Sequence, residues 1–432
     1  MSRLRVTVVG GGLAGLTAAL ELADAGAQVS LLEARSRLGG ATFSFERNGL
    51  WLDNGQHVSL RCCDAYLGFL RRIGTDHLLA MQPRLHVPVL REGMPPALLA
   101  RTGLPAPLHL ASTLLRYAPL SPRERLLAVR AAVGLRRLDP RDPALDEQTF
   151  GAWLTRHSQS PNAIDALWNL IALPTLNLPA DEASLAAAVK VFRTGLLDAA
   201  DACDIGVPAV PFQRLHADPA AAAIEQAGGR VSVGTAVDAD GISRLLAGEA
   251  DAVILAVPHY AVAEIAPAEA LQPLHLDALG TSPIVNLHVH YDRVVLHHAL
   301  AATLGSPLQW LFDRTAASGA TSGQLIAISL SHAVEDAGSS LAALRERYLP
   351  ALERILPGAR TATIIDFAAT HEPRATFRVA PGSGRLRPLA TTAVPGLFLA
   401  GAWTDTGWPA TMEGAVRSGT TAARAVLASN ER

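Results

Sequence analysis

Gly10, Gly12 and Gly15 stand at the G-x-G-x-x-G spacing, and Glu33 follows about twenty residues on, at the end of a second apolar run. Those residue types suit a dinucleotide. Gly10 permits a tight turn, Gly12 lets the backbone approach a pyrophosphate, and Gly15 lets a helix pack closely on the preceding strand. The helix N-terminus would offer N–H groups and a positive dipole end to the phosphates. The Glu33 carboxylate would accept hydrogen bonds from ribose hydroxyls. A bare glycine pattern is weak, because glycine turns without ligands are common. Here strand, turn, helix, strand and acid all occur together in RVTVVGGGLAGLTAALELADAGAQVSLLE, and the segment predicts an adenine dinucleotide site.

A second chemical signal lies near the other end. From Pro395, PGLFLAGAWTDTGWPATMEGAVRSG reads as a buried strand, a loop and a long helix beginning near Thr411. A second helix N-terminus can serve a second charged region of the same ligand. N–H groups near Met412 could face the pyrimidine edge of an isoalloxazine and stabilise the negative charge that builds there on reduction. A nicotinamide enzyme has no need of this returning segment, so the two ends together predict FAD. One further side chain could move protons. His57 lies in WLDNGQH and has an ordinary pKa near neutrality. Lys190 is the only lysine among 37 lysines and arginines, so any chemistry that needs lysine has one candidate.

The elements that position these groups follow from periodicity. Residues 42–60 are strand-like with a turn at 47–49, and residues 64–73 read as an amphipathic helix. Two helices are expected between 104 and 138, the second capped by Ser121 with Pro122 first and Glu124 three residues on. Residues 147–200 continue as helices broken at Pro161, Pro174 and Pro179. From Asp218 come a helix, a Gly228–Gly229 stop and a strand, and from Ala250 a buried strand ending at Pro258. Residues from Ser282 alternate like a half-exposed strand, followed by further antiparallel strands and a helix over 341–356. This order implies an α/β fold: a dinucleotide domain built from both ends and part of the middle, with a second domain inserted in pieces.

Composition excludes several classes. The 432 residues are 49% hydrophobic, yet no apolar run reaches about eighteen residues, so no transmembrane helix is expected. The first strand begins almost at Met1, which leaves no room for a signal peptide and predicts a cytoplasmic protein. Cys62, Cys63 and Cys203 have no zinc spacing, so no metal is expected, and the adjacent pair reads as packing residues. A net charge of -2 gives no reason to expect nucleic acid.

VVGGGLAGL, LLEARSRLGG, WLDNGQH and LFLAGAWTDTGWPATMEGAVRSG together resemble the flavin-dependent amine oxidase and carotenoid desaturase superfamily. LDNGQHVSLRCCDAYLGFLRRIG, LPAPLHLASTLLRYAPLS, LDEQTFGAWL, GVPAVPFQRLHADPA and RATFRVAPG are similar to one branch, the squalene-associated FAD-dependent desaturases, also described as hydroxysqualene dehydroxylases of bacterial hopanoid pathways. The resemblance spans most of the chain. It implies a Rossmann-type FAD-binding domain (1–80, 201–260, 371–432) interleaved with an α+β substrate domain (81–200, 261–370). It implies FAD, a long isoprenoid alcohol as substrate, and reductive removal of the hydroxyl of hydroxysqualene to give squalene. Association with other squalene-pathway enzymes and contact with the inner face of a membrane are further expectations.

Carried over by position, Gly10, Gly12, Leu13, Ala14 and Gly15 match the phosphate loop, and Glu33 matches the ribose acid. Arg35 and Gly40 match the stretch returning past the adenosine and pyrophosphate. Val237, in the strand after Gly229, matches a backbone contact to adenine. Gly55, Gln56 and His57 match the segment beside the isoalloxazine, and Gly401, Met412 and Glu413 the C-terminal flavin loop and helix. Two positions depart from the pattern. Ala41 replaces an arginine that pairs with the pyrophosphate, and Ala402 an aspartate that bonds the ribityl chain, with Arg37, Thr42, Thr404 and Asp405 as neighbours that could compensate. These departures imply weaker FAD binding than in relatives.

Reductive dehydroxylation needs a hydride and a proton, and His57 is the expected proton donor, with Asp53 and Glu413 as alternatives. Helices within 104–138 and 163–197 would wall an apolar tunnel, and RERLLAVRAAVGLRRL mixes arginines with leucines as membrane-surface helices do. Trp403 and Trp408 would pack near the flavin, where an aromatic face could also stabilise a cation. Three other functions remain open at this stage: an amine oxidase, a carotenoid-type desaturase running the flavin in the opposite sense, and a non-catalytic FAD-binding scaffold. An amine oxidase commonly uses a lysine from the sheet of its substrate domain. Lys190 lies instead in an alanine-rich helical stretch, which argues against that reading.

Overall fold

Apart from Arg5, strand Arg5–Val9 is buried on both faces and rich in β-branched residues, as the centre of a parallel sheet requires. It pairs with Gln28–Glu33 on one side and Ala252–Leu255 on the other. Arg230–Val233 and Leu397–Leu399 complete a five-stranded, all-parallel sheet. Strands from the start, middle and end of the chain therefore share one sheet. Helix Leu13–Asp24 returns over it, and a Cβ on Gly15 would lie 1.9 Å from the Gly10 carbonyl oxygen, so glycine there sets the closeness of helix and turn. The last helix, Met412–Asn430, packs against this first one. The structure is a computed structural model and describes residues 3–272 and 274–430.

A seven-stranded mixed sheet forms the second layer system. Its order is Ile364–Phe377, Thr281–Tyr291, Gln324–Ser331, Trp310–Asp313, Leu300–Thr303, His86–Arg91 and Met94–Ala100. Thr281–Tyr291 alternates as expected but is not half-exposed. Val285, Leu287 and Val289 join one core cluster, while Asn286 and His288 on the other face are also buried. Alternation reports that one face is polar, and here protein rather than water covers it. The expected boundary at 370/371 falls inside Ile364–Phe377, whose pairing with Thr281–Tyr291 runs on to Phe377.

A group of helices packs against the mixed sheet. Helix Pro122–Arg136 begins with the anticipated capping box: Glu124 N–H donates to Ser121 Oγ at 3.3 Å, and Ser121 N–H donates to Glu124 Oε2 at 2.7 Å. Pro174 does not break the chain where expected. It lies within helix Leu170–Leu176, which ends at Asn177 with φ 52°, so few hydrogen bonds remain for the ring to disrupt. Wide π-type turns at Ile164–Asn169 and Arg193–Leu197 loosen two of these helices. The strand-like stretch 42–60 contains the hairpin Ser44–Arg47/Leu50–Asp53, turned by Asn48 and Gly49, both with positive φ.

Candidate active site

The phosphate end forms where Arg5–Val9 runs into the turn Gly10–Gly12. Gly12 is the N-cap of helix Leu13–Asp24, and neither a side-chain cap nor a first-turn acid occupies its N-terminus. Leu13, Ala14 and Gly15 form its buried first turn. A Cβ on Gly12 would meet only the Gly40 Cα, at 3.6 Å, whereas one on Gly40 would lie 2.8 Å from the Gly12 Cα. The two glycines approach each other and leave open the space above Gly12, which fits a pyrophosphate lying on the backbone. Glu33 is almost buried, its Oε2 accepting from Gly11 N–H at 2.7 Å and its Oε1 from Arg35 N–H at 2.8 Å. A carboxylate has about four acceptor sites, so capacity remains for ribose hydroxyls. The Arg35 side chain is exposed. Val237 is not in the strand after Gly229: that strand ends at Val233, and Val237 lies in the loop before helix Ala239–Arg244. The loop still runs beside Glu33, because Thr235 N–H donates to Glu33 O.

Arg37 stands where Ala41 offers no charge. Its guanidinium lies over the Phe43 ring, 3.1 Å from the centroid, and Nη1 is 3.5 Å from Gly40 O. Burial, and then the neighbouring Arg35 charge, hold its pKa below the usual arginine value. Near Ala402 the loop is held by a residue not foreseen in the sequence. Half-buried Arg387 donates to the carbonyls of Ala402 and Thr404 and to Thr406 Oγ1, and desolvation pulls its pKa to about 10. Thr42 and Thr404 bond the carbonyls of Gly39 and Gly401, and Asp405 is exposed.

The segment Asn54–His57 is suspended from the mixed sheet. Asn286 Nδ2 and Thr370 Oγ1 both donate to Asn54 O, and Asn54 Nδ2 donates to Glu372 Oε1. The polar face of Thr281–Tyr291 therefore holds the strip expected beside the isoalloxazine. A Cβ on Gly55 would press on His57 and Asn286. Gln56 Nε2 is buried without a partner among the described residues, a donor aimed at something the protein does not supply. Asp53, on the hairpin just before, is buried in an ion pair with Arg314 at 2.8 Å and also accepts from Ser44 Oγ.

His57 is poorly suited to donate a proton. Its Nδ1 lies 3.0 Å from Gly55 O, and a carbonyl can only accept, so Nδ1 carries the hydrogen. Burial pushes its pKa below the ordinary value, which keeps the ring neutral with a lone pair on Nε2. The expected donor is thereby placed as an acceptor. Glu413 is engaged as well: it accepts from the N–H groups of Ala65 and Tyr66 and from Arg417 Nε, tying the start of helix Asp64–Arg72 to the start of Met412–Asn430. Gly401 N–H donates to Ser418 Oγ, which fixes the preceding loop on the same helix.

One apolar cavity of about 360 Å³ opens on this strip. Gly55, Gln56, His57 and Met412 form one end. Leu110, Leu114, Ala128 and Ala132 form wall on the side of the expected helices, and Leu167, Trp168 and Ile171 form wall from the second group. Cys62 and Cys63 border the cavity too, and Cys63 also packs against the core beside the parallel sheet. Trp403 is buried, donating to Val257 O, while Trp408 lines the cavity. Lys190 is on helix Leu185–Phe192, as expected, but it also lines the cavity, with Nζ 4.5 Å from the Trp408 ring centroid. Asn286, Thr370, Glu372 and Arg387 carry no motif that singles them out in sequence.

The family model described as flavin containing amine oxidoreductase matches residues 13–427. The chain is 30% identical over 443 residues to the hydroxysqualene dehydroxylase of Rhodopseudomonas palustris, covering 98% of each protein. It is 24% identical over 482 residues to the zeta-carotene desaturase of Synechocystis, covering 99% of this chain and 98% of that one. Among solved structures, the cyclohexylamine oxidase of Brevibacterium oxydans superposes over 100% of both chains with a TM-score of 0.70 at 20% identity, a likeness of fold.

Proposed function

Because this chain belongs to the flavin containing amine oxidoreductase family, and is thus an FAD-dependent oxidoreductase, we propose that it reductively removes the hydroxyl of hydroxysqualene to give squalene. The cavity carries this reading: an apolar chamber that ends at the strip Gly55–His57 and Met412 suits a long hydrocarbon with a single polar atom. Gly10, Gly12, Leu13, Ala14, Gly15, Glu33, Arg35, Gly40 and Val237 would hold the ADP half of FAD. Gly55, Gln56, Gly401, Met412 and Glu413 would frame its other half, with Gln56 Nε2 a donor in need of an acceptor. FAD supplies hydride chemistry when bound. The chain's own residues exclude water from the cavity, orient the alcohol and provide a proton to the departing oxygen, while His57 Nε2 accepts rather than donates.

The substrate class also fits approach from a bilayer, since the cavity wall helices Ala111–Arg116 and Pro122–Arg136 carry exposed leucines and arginines outside. The deciding experiment is anaerobic incubation of FAD-loaded protein with hydroxysqualene and a reductant, followed by product identification. Squalene is the expected product. Unchanged hydroxysqualene, with consumption of phytoene or squalene by the oxidised protein, would move the reading to a desaturase. Consumption of an amine would move it to an oxidase.

A further inference from the structure

Among the described residues, Lys190 is the only lysine or arginine that lines the cavity. Its half-buried ammonium rests on the Trp408 ring and makes no ion pair or hydrogen bond among the described residues. The charges that reach it are those of Arg417, Glu413 and Asp64. Neither acid serves as its counter-ion, because Glu413 and Asp64 are both bound to Arg417. An ammonium has three donors and no acceptor, and an apolar wall is a costly place to leave it unsatisfied. The polar atom that completes it would have to arrive with the ligand.

Resting on the dehydroxylase reading above, we propose that Lys190 is a catalytic residue whose Nζ binds the substrate hydroxyl and gives it the proton with which it leaves as water. The C–O bond breaks with its electron pair remaining on oxygen, and that oxygen takes a proton from Nζ. The allylic carbon, left electron-deficient, takes a hydride from reduced FAD, which a two-electron donor such as dithionite keeps reduced. A solvent proton then restores the ammonium. The sum is alcohol plus two electrons and two protons giving hydrocarbon and water. The Trp408 face, already bearing one cation, can stabilise the positive carbon once the ammonium is neutral. Burial, followed by the Arg417 charge, lowers the Lys190 pKa, which eases release of the proton.

The test compares wild-type holoenzyme with Lys190→Met and Lys190→Arg. Flavin content and absorbance establish that each variant is folded and loaded. Equilibrium binding of hydroxysqualene and squalene is followed by tryptophan quenching, and single-turnover dehydroxylation is followed across pH with dithionite. Wild type should prefer the alcohol by about tenfold or more, and Lys190→Met should lose that preference while still binding squalene. Lys190→Met should also lose about 10²–10⁴-fold in rate, together with the alkaline fall of the wild-type profile. Lys190→Arg keeps the cation but holds its proton, so it should be slow as well. A Lys190→Met rate within a few-fold of wild type would overturn the proposal, and so would a Lys190→Arg rate equal to wild type. If wild type makes no squalene, the dehydroxylase reading itself fails and the role of Lys190 falls with it.

Discussion

Arg37 is placed to supply from a neighbouring position the charge that Ala41 lacks. Position 41 carries no guanidinium, yet Arg37 brings one to the Gly39–Gly40 turn, flat on Phe43 and without an ion-pair partner among the described residues. Removing one charge-assisted hydrogen bond costs about 1.5–3 kcal/mol. Arg37→Ala should therefore raise the Kd for FAD by about one to two orders of magnitude in a fluorescence titration, and Ala41→Arg on that background should restore much of the loss. An unchanged Kd in Arg37→Ala would remove this residue from the site. Buried histidines give a second residue-scale prediction. His216 and His288 are fully enclosed, and burial pulls the pKa of each to about 4. Unfolded histidine takes up a proton near pH 6.5, so between about pH 6.5 and pH 4 the unfolded state binds more protons. Stability should accordingly fall as pH drops through that window and hold above it. Thermal melts should display the slope, and His288→Gln should flatten it. An equal slope in that variant would place the titration elsewhere.

At the scale of elements, helix Pro122–Arg136 walls the cavity and depends on its first turn. The Glu124 carboxyl is drawn down to about 2 by the Ser160 hydroxyl, the Ser121 backbone and hydroxyl, and Asn162. A depressed acid stabilises above its ordinary pKa and loses that contribution as pH falls toward 2. Ser121→Ala and Glu124→Ala should each cost about 1 kcal/mol at neutral pH, and the Glu124→Ala deficit should shrink by about pH 3. A deficit independent of pH would refute the cap's electrostatic part. This cap was legible because every group in it is local: Ser121, Pro122 and Glu124 lie within one turn. The Asn48–Gly49 hairpin was legible for the same reason, whereas the parallel strands pair across the whole chain and were legible from their unbroken apolar runs. Val237 was misplaced because a strand's end depends on its sheet neighbour, and Gln28–Glu33 runs out opposite Val233. The buried polar face of Thr281–Tyr291 was not legible, since its partners Asn54 and Glu372 are distant in sequence. His57 was legible as a site position but not as an acceptor, because its proton is fixed by the backbone fold of Gly55. Lys190 was legible as unique, but its exposure to the cavity depends on how its helix meets Trp408.

Seen as a whole molecule, the cavity and the outer surface are separated by a single layer of helix. Ala128 and Ala132 face the cavity, whereas Leu126, Val129 and Val133 of the same helix are exposed, Leu126 at 71%. Those three recur at helical spacing with Arg130 among them, and Leu104, Leu108 and Leu115 are exposed in the segments just before. Apolar side chains of this size and number rarely face water together without a partner. Arg116, Arg123, Arg136 and Arg137 are also exposed on these segments, matching an anionic headgroup layer. No helix among the described residues is long and apolar enough to cross a membrane, so contact would lie in the interface plane. The protein should therefore sediment with vesicles of mixed neutral and anionic phospholipid, and high salt should weaken that binding. The double variant Leu126→Asp/Val133→Asp should lose most of it. The same variant should turn over slowly on hydroxysqualene supplied in vesicles yet keep its rate on substrate supplied in detergent micelles, because the change affects delivery and leaves the cavity lining intact. An equal loss in both formats would mean the wall itself had been damaged. Full vesicle binding by the double variant would assign the exposed leucines to some other partner.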